Sequence, residues 1–196
     1  MSNTKAQTVA TAMLFETGLG FVGVLVAWLG SVSLQSRLNL SLDSLLRGLI
    51  ASLPMIVVLF AAYEVDWQPL NKLRREVEYV VRELFAGCGW LEFLLISLAA
   101  GVGEEILFRG ALQPLLISWT NLLIGVFVTA LLFGLAHAMS TTYFLAATLI
   151  GIYFGWLAWA YEDLIAPIVA HAFYDFVALL YVHFRARDDR TIPPAD

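Results

Sequence analysis

Long apolar runs, separated by short polar breaks, set the character of this chain. No charged residue occurs from Thr17 to Ser36, from Gly48 to Tyr63, or from Gly110 to Tyr161. About 20 apolar residues cross a bilayer as a helix. The pattern predicts spans near 10–31, 46–63, 91–119, 121–139, 143–161 and 164–184, with Ser118–Asn121 and Ser140–Thr142 dividing the longest run. Barrel-type alternation is missing, and lipid offers no partner to an open backbone, so each span must be a helix. The expected fold class is all-α, a polytopic membrane helix bundle of about six transmembrane helices with one interfacial amphipathic helix.

That amphipathic helix lies at 69–85. Leu70, Leu73, Val77, Val80, Val81 and Leu84 recur at helical spacing, with Lys72, Arg74, Arg75, Glu76, Glu78, Arg82 and Glu83 between them. Such a helix suits the inner membrane surface or a solvated connector, and Glu78 and Arg82 form an i,i+4 pair in the better orientation. Three regions follow. Residues 1–90 form a two-span region ending in the amphipathic helix, 91–184 a four-span core, and 185–196 a polar tail.

Composition changes the picture only by excluding classes. Hydrophobic residues make up 60% of the 196, charged residues 14%, and mean hydropathy is +0.80. A soluble domain carries about 25% charged residues. A net charge of −5 with no basic tract argues against nucleic acid as a partner; the lipid bilayer is the expected surrounding. Cys88 is the single cysteine, which excludes an internal disulfide. Ser31-Val-Ser33 faintly resembles a signal-peptide cleavage site, but the segment is long, carries Glu16 and has only Lys5 before it, so a retained span is expected.

Lys and Arg set the expected orientation. With the N-terminus in the cytoplasm, Lys5, Lys72, Arg74, Arg75, Arg82, Arg185, Arg187 and Arg190 fall inside and only Arg37 and Arg47 outside. An integral membrane protein with both termini cytoplasmic is the reading. Gly151 and Gly155 form a G-x-x-x-G on the fifth span, a helix-packing signal.

Ionisable residues within spans cost about 2.5–3.5 kcal/mol or more and mark candidate function. Here they are Glu104, Glu105 and Arg109 on the third span, His137 on the fourth, and His171 and Asp175 on the sixth. Glu105 and Arg109 are four apart and can neutralise each other, whereas Glu104 points about 100° away. An unpaired buried carboxylate suits a general base near neutrality. Asp175, four residues beyond His171, can orient its imidazole, and Phe133 and His137 share a face in the same way. His183, near Arg185, is expected at the membrane interface, and Glu16, near the start of the first span, is expected to reach the headgroups.

Glu104-Glu105-Ile-Leu-Phe-Arg109, Phe133-Gly-Leu-Ala-His137 and His171-Ala-Phe-Tyr-Asp175 match E-E-x-x-x-R, F-x-x-x-H and a His followed four positions later by Asn or Asp. In order and spacing they resemble the CAAX protease and bacteriocin-processing family of intramembrane endopeptidases, which includes type II CAAX prenyl endopeptidases and lysostaphin-resistance-like proteins. The resemblance covers roughly residues 90–184. It implies peptide hydrolysis without a bound metal or other cofactor. Glu104 would activate a water that His137 helps position, His171 and Asp175 would stabilise the oxyanion, and Glu105, Arg109 and Phe133 would support them. Substrates would be peptides or membrane proteins, prenylated in part of the family. Prenyl-protein members carry Asn where this chain has Asp175, and ionised Asp cannot donate to an oxyanion. Either Asp175 is protonated, or it acts on His171 and leaves the oxyanion to that ring.

Other readings remain at this stage. Glu104, His137 and His171 are a legitimate zinc set, although no H-E-x-x-H is present. Membrane carboxylates and histidines also form proton relays in transporters, and a non-proteolytic scaffold or regulator could share the framework. One conflict concerns depth. Counted from the outer ends of their spans, His137 lies about 24 Å down and His171 about 10 Å. A shared site requires strong tilts, or a fifth span whose outer end is drawn into the bilayer.

Overall fold

The computed structural model describes residues 2–85 and 87–188. The tail residues 189–196, including Arg190, lie outside the described residues. Every element is helical, and no strand occurs among the described residues. The helices are α1 (Ser2–Leu29), α2 (Leu42–Glu64), α3 (Gln68–Leu84), α4 (Trp90–Glu105), α5 (Gln113–Trp119), α6 (Leu122–Ala136), α7 (Thr141–Ala160) and α8 (Ile165–Asp188), and a π-helical segment, Ile106–Leu112, joins α4 to α5. Four helical stretches are long and apolar enough to cross a membrane: Lys5–Leu29, Leu42–Glu64, Thr141–Ala160 and Ile165–Arg185. These correspond to the first, second, fifth and sixth expected spans.

The other two differ from expectation. The third is one helical run from Trp90 to Trp119, interrupted by the π segment. The fourth, expected over 121–139, is a helix of only 15 residues, about 22 Å long and too short to cross the hydrocarbon upright. The polar breaks act as caps. Asn121 accepts the Ile124 N–H at 3.1 Å and Ser140 accepts the Tyr143 N–H at 3.3 Å.

The amphipathic element forms as α3, with Pro69 in its first turn. Val81 joins Tyr63 and Val182 in an apolar cluster, which seats α3 on the ends of α2 and α8. Arg74 reaches back to the carbonyls of Tyr63 and Val65 at 2.7 and 3.0 Å, satisfying groups left open where α2 ends. Cys88 is a buried free thiol in the turn before α4. Burial pushes it above the usual thiol range, as does nearby Glu92, which keeps it unreactive.

The depth conflict resolves through the connections. The π segment and α5 hold 7 residues each, and α6 holds 15. The chain therefore descends from Glu105 to Thr120 and returns an equal length to His137, level with Glu104. α8 does not begin level with that turn. A side chain at Gly110 would meet Leu164 at 3.3 Å, so the α7–α8 connection sits against the π segment. His171 then lies about 10 Å into α8 from a starting point already drawn inward.

Arg37, the last residue of a short 3-10 turn (Gln35–Arg37) after α1, secures this arrangement. Pro114 has no N–H, so the Arg109 carbonyl, next in the i+5 ladder after Phe108, loses its donor. Arg37 Nη1 takes that carbonyl at 2.8 Å and Nη2 takes Ala158 O, at the end of α7, at 3.0 Å. The Arg37 carbonyl in turn accepts the Leu164 N–H at 2.8 Å. One residue thereby joins the π segment, α7 and the start of α8.

Candidate active site

Arg109 is the least expected residue in the interior, fully buried at 0% exposure. Its Nη1 donates to Glu105 Oε1 at 2.8 Å, its Nη2 to Gly151 O at 3.0 Å, and its guanidinium lies 4.4 Å from the Phe133 ring centroid. The pairing expected from i,i+4 spacing is present. The glycines on α7 do more than allow close packing. A Cβ on Gly151 would come within 3.1 Å of the Ala130 Cα, and one on Gly155 within 2.7 Å of Gln113 Oε1. Their bare carbonyls face α5 and the π segment, where Gln113 Nε2 donates to Gly155 O at 3.0 Å in step with Arg109 on Gly151.

Glu105 Oε1 has a second partner, His171 Nδ1, at 2.9 Å. The imidazole is 4% exposed, with Phe154 stacked on it at 4.9 Å. Asp175 Oδ2 lies 3.3 Å from the other nitrogen, Nε2. His171 is therefore held at both ends, by Glu105 from α4 as well as by Asp175 from its own helix.

His137 follows the last residue of α6. Its Nδ1 lies 2.8 Å from Phe133 O. A carbonyl only accepts, so Nδ1 carries the hydrogen and Nε2 of the neutral ring presents a lone pair. That nitrogen is 3.7 Å from Glu104 Oε2, too long for a direct hydrogen bond. Glu104 Oε2 has no hydrogen-bond partner, and Glu104 is 6% exposed. Phe133 packs against His137 at 4.5 Å and against Phe108 at 5.2 Å, filling the space between the Glu104 and Arg109 sides. The six ionisable residues marked in the sequence are thus gathered in one place, from α4, the π segment, α6 and α8. His183 is separate, 5.2 Å from the Phe93 ring.

Two further residues stand at the site against or outside expectation. Glu16 was expected at the headgroups, but it lies within electrostatic reach of Glu104, His171, Asp175 and His137. Its carbonyl presses on Gly103, where a Cβ could not fit. Tyr143 of α7 stacks near His137 with centroids 6.3 Å apart, and Asp175 and Glu104 are its charged neighbours. Spacing on one helix cannot reveal either, since both arrive through packing between helices.

The donor set does not suit zinc. His171 commits Nδ1 to Glu105 and turns Nε2 to Asp175, leaving no nitrogen directed at Glu104 and His137. Among the described residues no three His, Cys, Asp or Glu are grouped to hold a metal ion.

No curated protein and no solved structure gives a match. Residues 86–177, which hold every motif of this cluster, match the family described as type II CAAX prenyl endopeptidase Rce1-like.

Proposed function

We propose that this protein is an intramembrane endopeptidase that hydrolyses a peptide bond with a water activated by Glu104. The observation that carries the reading is the gap between Glu104 Oε2 and His137 Nε2, 3.7 Å apart, with the carboxylate oxygen otherwise unpartnered. One water can touch both groups and donate a hydrogen to each, since both are acceptors. Its oxygen lone pair is then free to attack a carbonyl, and Glu104 takes the proton. Phe133 O fixes the ring so that Nε2 keeps this role.

Charge developing on the carbonyl oxygen needs donors. His171 Nε2 and Asp175 lie 3.3 Å apart, and a hydrogen shared between them serves an oxyanion entering beside the pair. Glu105 holds the far side of the ring, and Arg109 balances its charge. The leaving amine takes its proton from Glu104, which returns the base to its starting form. Substrate is the C-terminal segment of a membrane-held peptide or protein, prenylated where the family match applies in full. Full chain in detergent, incubated with prenylated and unprenylated CAAX-type peptides, should release the C-terminal fragment by mass spectrometry. An intact panel would contradict the reading.

Two further outcomes follow. A small chelator should leave detergent-solubilised activity unchanged, because no step uses a metal. Loss of activity on chelation with recovery on adding zinc would refute the Glu104 mechanism. The excess of Lys and Arg near residues 64–90 and the termini favours a cytoplasmic location for both. Reporters at either terminus and in 64–90 should read cytoplasmic, and one at Glu162–Asp163 external; the reverse pattern would overturn the orientation.

A further inference from the structure

Glu16 is the carboxylate at this site for which the hydrolysis above has no use. On α1, Glu16, Gly20, Gly23 and Ala27 fall on one face. A Cβ at Gly20 would stand 3.3 Å from the Gly103 Cα, and one at Gly23 would stand 2.7 Å from the Leu107 Cα. Lack of side chains lets α1 lie backbone to backbone on α4 and the π segment, which brings Glu16 against Gly103, next to Glu104. Glu16 Oε2 is sealed from solvent and has no hydrogen-bond partner. The same holds for Glu104 Oε2, on a side chain 8% exposed.

The charges here do not balance. Arg109 sits 2.8 Å from Glu105 and offsets it. Lys5, the one cation of α1, is taken by Glu92 at 2.8 Å. His171, held between Glu105 and Asp175 at 2.9 and 3.3 Å, offsets Asp175, so Glu16 and Glu104 are the carboxylates left to share a low-dielectric space, with His137, His171 and Tyr143 as neighbours. Like charges so placed repel strongly, and an entering cation relieves that repulsion.

We infer that Glu16 is a specificity-determining residue of the same site, selecting peptide substrates with a Lys or Arg side chain beside the scissile bond and rejecting Asp or Glu there. The assignment rests on the peptidase reading. It comes from α1, outside the stretch that matches the family.

The test uses the full chain in detergent and fluorescent peptides that differ at one position, Lys, norleucine or Glu, next to the bond expected to be cleaved. Binding is read by anisotropy and cleavage by mass spectrometry. For the parent, the Lys peptide should bind about tenfold tighter than the norleucine peptide, the scale of a hydrogen bond to a charged group. In Glu16→Gln that ratio should fall towards one, and the Glu peptide should gain relative to the other two. Glu16→Asp keeps the charge and should keep part of the preference. If Glu16→Gln does not fold, Glu16→Asp decides, with retained preference supporting the role and lost preference opposing it. Equal ratios in parent and Glu16→Gln, no preference in the parent, or no binding would overturn the inference. A parent that prefers Lys in binding yet cleaves none of the peptides would refute the peptidase reading and uphold the role of Glu16.

Discussion

Glu104→Gln should abolish measurable cleavage, a loss of about 10²–10⁴-fold if the base alone is removed, and should leave the protein folded. The amide has the size of the carboxylate but cannot accept the proton of an attacking water. Folding should survive because Glu104 Oε2 has no partner to lose. Turnover and thermal unfolding measured on the same preparation separate the two effects. An active Glu104→Gln beside a dead but well-folded Glu105→Gln would invert the assignment.

Glu105→Gln should act the other way, with the larger effect on stability. Arg109 and Glu105 are both 0% exposed. Removing one charge of a buried pair costs about 3–5 kcal/mol, because the other is left uncompensated in the interior. The glutamine oxygen can still accept from Arg109 Nη1 and His171 Nδ1, so the geometry is only loosened and activity should fall less than in Glu104→Gln. Unfolding in detergent checks the first effect, and turnover below the unfolding transition checks the second. A Glu105→Gln protein as stable as the parent would mean that the ion pair does not hold this core together.

Local spacing made part of this site legible. Four residues along a helix place Arg109 over Glu105 and Asp175 beside His171, and both contacts form. Glu104, five residues before Arg109, falls outside that pairing, and its Oε2 is left without a hydrogen-bond partner. Asn121 and Ser140 divided the longest apolar run correctly because capping is a local matter.

What the sequence hid depends on packing between distant segments. The π segment becomes tolerable only because Arg37, far away in the chain, takes the carbonyl that Pro114 leaves open. Gly151 and Gly155 read as packing residues, yet their carbonyls are the acceptors for Arg109 and Gln113. Glu16 looked like a headgroup residue by depth alone, and its direction is set by Gly20 and Gly23 meeting Gly103 and Leu107. Likewise the His171–Glu105 contact joins residues 66 positions apart, beyond any helical repeat.

We propose that the cluster around Glu104 cuts peptide bonds in the membrane. Quantitative mass spectrometry of peptides and C-termini from the producing cell, comparing the parent chain with Glu104→Gln at equal protein level, tests it most directly. Fragments should be present with the parent and missing with Glu104→Gln, together with uncut precursors that accumulate in the membrane fraction. Identical peptide and C-terminal profiles for the two chains would contradict it.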